Sequence, residues 1–165
     1  MEDKIKKFTV SVYSEDKPGV LYRLSNLFLK RKININSLTV SDSEINDFAK
    51  FIITIDTTES KVHLICKQIE KIIEVSEAKY YLDNEIFYID NAILKVSYHM
   101  EDKDKFLSII KKFDIEIESE KATKTECTSI ISINNSEEKI DELRKELSIF
   151  NLVEFVRSGR IAIKK

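Results

Sequence analysis

Glu15-Asp16-Lys17-Pro18-Gly19-Val20-Leu21 stands between a strand-like run and a helix-like run, and its reading decides the fold. Upstream, Phe8-Thr9-Val10-Ser11-Val12-Tyr13 sets branched and aromatic residues in near alternation, the mark of a half-buried strand. Downstream, Val20, Leu21, Leu24, Leu27 and Phe28 recur at helical spacing and define one apolar face. Asp16 or Lys17 is expected to cap that helix. Pro18 suits its first turn, where an N–H has no intrahelical partner.

Working outward, Ile33, Ile35, Leu38 and Val40 make a second strand, broken by a polar turn near Ser41-Asp42-Ser43. Residues 48–55 make a third. Val62, Ile65, Cys66, Ile69, Ile72 and Ile73 form a second helical stripe, and Val75–Tyr81 a fourth strand. The order β-α-β-β-α-β is the split βαβ arrangement. It then repeats. Residues 86–96 read as a long strand, and Phe106, Leu107, Ile109, Ile110 and Phe113 as a helix. Residues 115–117 and 127–133 are strands, Ile140, Leu143 and Leu147 mark a helix, and 152–156 and 161–163 supply the last strand material. The fold class is α+β, two ferredoxin-like modules over 6–82 and 84–165, without a flexible linker near Asp83-Asn84. Two helices on one side of a four-stranded sheet leave its other face open. Val10, Val12 and Phe51, or their immediate neighbours, are expected there. An apolar open face or strand edge implies a partner, with self-association the simplest.

Composition narrows the function classes. The chain of 165 residues is 42% hydrophobic and 34% charged, with two glycines and one proline, which suits packed domains rather than linkers. A net charge of -2 with interspersed signs gives no footprint for nucleic acid. No apolar run approaches the roughly twenty residues that span a bilayer, so no membrane partner is expected. Met1-Glu2-Asp3-Lys4 lacks the order of a secretory signal. Cys66 and Cys127 belong to no spaced set and read as buried reduced thiols, which suits a cytoplasmic protein.

No catalytic constellation and no metal site emerge. His63 reads as a surface residue beside a helical stripe and His99 as part of a turn, neither with a partner at ligand spacing. No serine stands beside a histidine base, and no phosphate-cradling or dinucleotide glycine pattern occurs. The 15–21 segment points to binding instead. A helix N-terminus presents unpaired N–H groups and about half a positive charge, which favours a carboxylate. Gly19 removes a side chain that would block its approach. Asn34 could accept from an ammonium or donate to a carboxylate, and Ile35 and Leu21 could line a pocket for an aliphatic side chain. The same residues also read as an ordinary helix start and a satisfied strand end.

Asp16-Lys17-Pro18-Gly19-Val20-Leu21 followed by Asn34-Ile35-Asn36-Ser37-Leu38-Thr39-Val40 resembles the ACT domain of the acetolactate synthase small subunit. Glu85-Ile86 with Ile93-Leu94-Lys95-Val96 looks like the start of that family's second, ACT-like domain. Phe155-Val156-Arg157-Ser158-Gly159-Arg160 is similar to its C-terminal signature. The resemblance implies a regulatory subunit without chemistry of its own. Such a subunit binds and activates a thiamine-diphosphate-dependent catalytic large subunit in branched-chain amino acid biosynthesis. It also confers feedback inhibition by valine or a related amino acid. The thiamine cofactor belongs to that partner, so none is expected here. The resemblance further implies a homodimer through the ACT domains. Its effector lies between them, contacted by Asp16, Gly19, Val20 and Leu21 of one copy and Asn34 and Ile35 of the other. Where enterobacterial-type members carry Asn, this chain has Asp16. Its charge would attract the effector's ammonium or repel its carboxylate by about 4 kcal/mol at about 4 Å, the sign set by pose.

Two rivals remain. One is a two-ACT amino-acid sensor controlling another protein. The other is a small ferredoxin-like acyl-phosphate hydrolase, for which Arg23 is the sole nearby arginine and the glycine-rich cradle is missing.

Overall fold

In the computed structural model, residues 4–165 are described; the opening Met1-Glu2-Asp3, part of the signal-peptide reading, lies outside them. The chain forms two compact units. One comprises the chain through Tyr88 together with Gly159–Lys165, and the other Ile89–Ser158.

The first unit runs β1 (Lys6–Glu15), α1 (Val20–Lys30), β2 (Ile35–Asp42), β3 (Phe48–Thr57), α2 (Glu59–Ile69) and β4 (Val75–Tyr81). Its sheet is antiparallel, in the order β2-β3-β1-β4. Phe8, Val10 and Val12 of β1 point to the helices and pack with Phe51, Ile53 and Ile55. Val20, Leu24 and Phe28 of α1, and Val62, Ile65, Cys66 and Ile69 of α2, close that core. Thus Val10, Val12 and Phe51 lie inside, and their neighbours Thr9, Ser11, Tyr13, Lys50 and Ile52 take the other face. That face is polar rather than the apolar surface the strand pattern suggested, and residues 162–164 border its hollow. Leu21 and Ile73 also depart from the stripes assigned to them. Leu21 is 45% exposed, and Ile73, beyond the end of α2, is 95% exposed.

The second unit repeats the plan with β5 (Ile86–His99), α3 (Lys103–Lys112), β6 (Ile117–Ala122), β7 (Glu126–Asn135), α4 (Glu137–Leu147) and β8 (Asn151–Lys164), ordered β6-β7-β5-β8. Leu94, Val96, Ile131, Phe106, Ile140 and Leu143 form its core. Tyr98 stacks on Phe106 with centroids 4.3 Å apart. The two stretches 152–156 and 161–163 are one continuous strand, whose end belongs to the first unit. No helix among the described residues is long and apolar enough to cross a membrane.

Candidate functional site

The β1–α1 connection is fixed by its backbone. The Glu15 N–H donates to the Glu74 carbonyl at 2.8 Å, and the Asp16 N–H to the Asp47 carbonyl at 2.8 Å. The Lys17 N–H returns to the Glu15 carbonyl at 2.9 Å. The chain then turns through Pro18 and Gly19. Gly19, not Asp16 or Lys17, is the N-cap, in the left-handed conformation at φ 88 and ψ -7, and no side chain caps the helix. An added Cβ there would meet only Arg23 Nη1, at 3.6 Å. Glycine is therefore selected by the backbone angle rather than by lack of room on the protein side. The Arg23 N–H donates to the Gly19 carbonyl at 3.1 Å. The Val20 N–H turns back to the Lys17 carbonyl at 3.4 Å, and the Leu21 and Tyr22 N–H groups, without a side-chain cap, are left for solvent or a ligand.

Charge gathers at this loop. Arg23 sits one turn into α1, and its Nη2 is 2.7 Å from Glu74 Oε1, which holds the guanidinium beside Gly19. The sequence reading names Arg23 only for the acyl-phosphate rival and not for this loop; its i+4 spacing from Gly19 is the signal that places it here. Lys17 pairs with Glu15, whose hydrogen bond and charge raise the lysine's pKa. Asp16 is exposed. Val20 is buried in the core, so only its backbone faces the loop, whereas Leu21 is exposed enough to touch a ligand.

Asn34 and Ile35 lie elsewhere. Lys32, at φ 54, ends α1, and Asn34 follows as an exposed residue before β2. Ile35 is half-buried against the first core. Register places them: Ile35 pairs with Ile55, which pairs with Phe8 near the start of β1, whereas Glu15 at its end pairs with Phe48. Seven strand steps separate the two groups, about 24 Å. The structure therefore brings Asp16, Gly19, Val20 and Leu21 together. It sets Asn34 and Ile35 at the opposite end of the same sheet.

Other chemistry-bearing groups are dispersed. Among the described residues no three His, Cys, Asp or Glu side chains stand close enough to hold a metal. His63 is exposed on α2, and His99 is exposed at the end of β5. Cys66 is buried, and burial, with a smaller contribution from Glu70, pushes its thiol up to about 12, which suppresses the reactive thiolate.

Comparison with known proteins supplies the family. Residues 10–77 match the model of the AHAS small subunit-like ACT domain, and 90–165 match that of the small subunit of acetolactate synthase. The chain is 28% identical over 160 residues to the acetolactate synthase small subunit of Mycolicibacterium smegmatis, covering 95% of this chain and 90% of that one. It is 26% identical over 157 residues to a probable small subunit from Archaeoglobus fulgidus, covering 95% and 96%. The crystal structure of the small subunit from Thermotoga maritima superposes with a TM-score of 0.86 at 26% identity, over 98% of both chains. Matched in sequence over both modules and in fold over nearly its whole length, the chain belongs to the acetolactate synthase small-subunit family.

Proposed function

We propose that this chain binds the thiamine-diphosphate-dependent catalytic large subunit of acetolactate synthase, raises its activity and confers feedback inhibition by valine or a related branched-chain amino acid. The functional modules are the ACT domain over 6–82 and the second domain over 84–165. The two cysteines, both buried and unbridged, suit the reducing cytoplasm.

The separation of the two half-sites supports an effector pocket shared between two copies. β2 is an edge strand, and its end, Asp42, pairs with Ala49, which pairs with Ser14 beside the β1–α1 loop. Antiparallel pairing of β2 with the same strand of a second copy lays the start of one β2 beside the end of the other. Asn34 and Ile35 of one copy then approach Asp16, Gly19, Val20 and Leu21 of its twin, a two-fold arrangement that creates the pocket twice. The carboxylate goes to the uncapped first turn of α1, and Asn34 supplies a polar amide. Arg23 adds a cation on the carboxylate side. Asp16, exposed, is available to the ammonium.

Regulation follows by linkage. An effector that bridges the copies stabilises one dimer arrangement, and coupling of this kind is typically about 1–3 kcal/mol. Reconstitution with the catalytic subunit tests the proposal. Turnover is expected to rise on adding this chain and to fall again with valine. If adding it changes neither turnover nor the response to any branched-chain amino acid, the proposal is wrong.

A further inference from the structure

The helix-free face of the first sheet carries a cavity of about 450 Å³ that plays no part in the loop site. Every residue lining it belongs to the first unit. Register explains the hollow. Ser11, central in β1, pairs with Ile52 on one side and Lys79 on the other, and Tyr13 pairs with Lys50 and Glu77. A small side chain ringed by long ones leaves a depression. Ile86 and Ala162 wall it, and its volume falls within the range of small-ligand sites.

Its chemistry is mixed in a definite way. Lys50, Lys79 and Lys164 bring three ammonium groups, and Glu44 and Glu77 two carboxylates, which leaves one positive charge. Both carboxylates are engaged. Glu77 pairs with Lys79. Glu44 accepts the Tyr13 phenol at 3.0 Å, and the phenol oxygen accepts from Lys50 at 2.8 Å. An ammonium has three donors, so Lys50 and Lys79 each keep donors for a further oxygen, as does the Ser11 hydroxyl. Ile52, Ile86 and Ala162 offer hydrocarbon beside them.

We infer that this hollow is a second ligand site, taking a small monocarboxylate with an apolar body. The head rests on Lys79, Lys50 and Ser11, and the body on Ile52 and Ile86. One surplus positive charge matches a monoanion better than a phosphate dianion. The site stands apart from the effector loop and does not depend on the regulatory reading.

Titration of the isotope-labelled full chain with 4-methylpentanoate, followed by amide NMR, tests it, with phenyl phosphate as a second arm. Saturable shifts at Ser11, Ile52, Lys79 and Ala162 are expected. Lys79→Gln, an exposed change that leaves the fold intact, should weaken binding by about tenfold. Ser11→Leu, which fills the hollow, should abolish it; if that variant fails to fold, Lys79→Gln decides. No saturation at millimolar carboxylate overturns the inference. So do shifts confined to Gly19, Leu21 and Asn34, or tighter binding of phenyl phosphate than of the carboxylate.

Discussion

Among the described residues Arg160 is the largest side chain that the fold encloses completely, at 1% exposure. Its Nη1 donates to Asp83 Oδ1 at 2.6 Å and to Thr9 Oγ1 at 3.0 Å, and its guanidinium lies 3.7 Å from the Tyr88 ring centroid. A planar fork can satisfy a carboxylate and stack on an aromatic face at once, which an ammonium cannot. The preceding Gly159 sits at φ +82, and a Cβ there would come within 3.1 Å of Thr39 Oγ1 and 3.2 Å of Ser37 Cβ. These two residues fasten the chain terminus to the first unit. Lys165 adds a backbone bond to Glu85 at 3.1 Å. Arg160→Ala is therefore expected to destabilise the first unit by about 3 kcal/mol, toward the lower end for a broken buried pair because Asp83 is partly exposed. Arg160→Lys should recover only part of that loss. Urea unfolding followed at resonances of the first unit checks both, and an Arg160→Ala midpoint equal to the parent's would show that the anchor is dispensable.

At the scale of elements, α1 and α3 end in the same way. The Ile33 N–H reaches the Phe28 carbonyl at 3.0 Å and the Lys32 N–H the Leu29 carbonyl at 3.0 Å. Ile115 reaches Ile110 at 3.1 Å and Asp114 reaches Lys111 at 3.2 Å. Both are Schellman endings, which usually place glycine in the left-handed position. Here Lys32 holds it at φ 54 and Asp114 at φ 52, while the chain's two glycines serve at 19 and 159. A side chain in that conformation costs roughly 1 kcal/mol, part of which glycine returns through its freer unfolded state. Lys32→Gly combined with Asp114→Gly should thus stabilise the chain by about 1 kcal/mol, roughly 2–4 °C in Tm, with the larger share from Lys32. Scanning calorimetry checks it; a lowered Tm would mean that these side chains contribute contacts worth more than the strain.

The same elements show what periodicity can and cannot carry. β4 spans Val75–Tyr81, as its alternation indicated, because one face of an antiparallel strand must be apolar. Val20, Leu24 and Phe28 were legible for the matching reason on a helix. Ile73 was misread because a stripe does not reveal where a helix stops; α2 ends at Ile69 and the chain turns. Gly19 as cap was hidden, since a left-handed cap has no side-chain donor or acceptor to recognise. The placement of Gly159–Lys165 was hidden too, because strand character says nothing about which sheet a strand serves. The loop half of the candidate site was readable as a local motif. Its distance from Asn34 depended on register, which only the paired strands disclose.

On the scale of the whole molecule, the loop and Asn34, the two halves of the proposed effector pocket, cannot meet within one chain, since about seven strand steps lie between Glu15 and Ile35. The proposed two-fold dimer would make two pockets, each from the loop of one copy and Asn34 of the other. Complementation distinguishes that arrangement from any pocket contained in a single copy. Gly19→Asn tolerates the left-handed backbone but puts a side chain into the ligand's approach, and Asn34→Ala removes the facing amide. Each variant alone should still activate the catalytic subunit but lose its response to valine. In a mixed dimer, both lesions fall in one pocket and the other is intact. Random mixing of equal amounts, verified with two affinity tags, should then restore about a quarter of all pockets and a matching fraction of valine inhibition. A verified mixture as unresponsive as its parents would place the effector within one chain or outside these residues altogether.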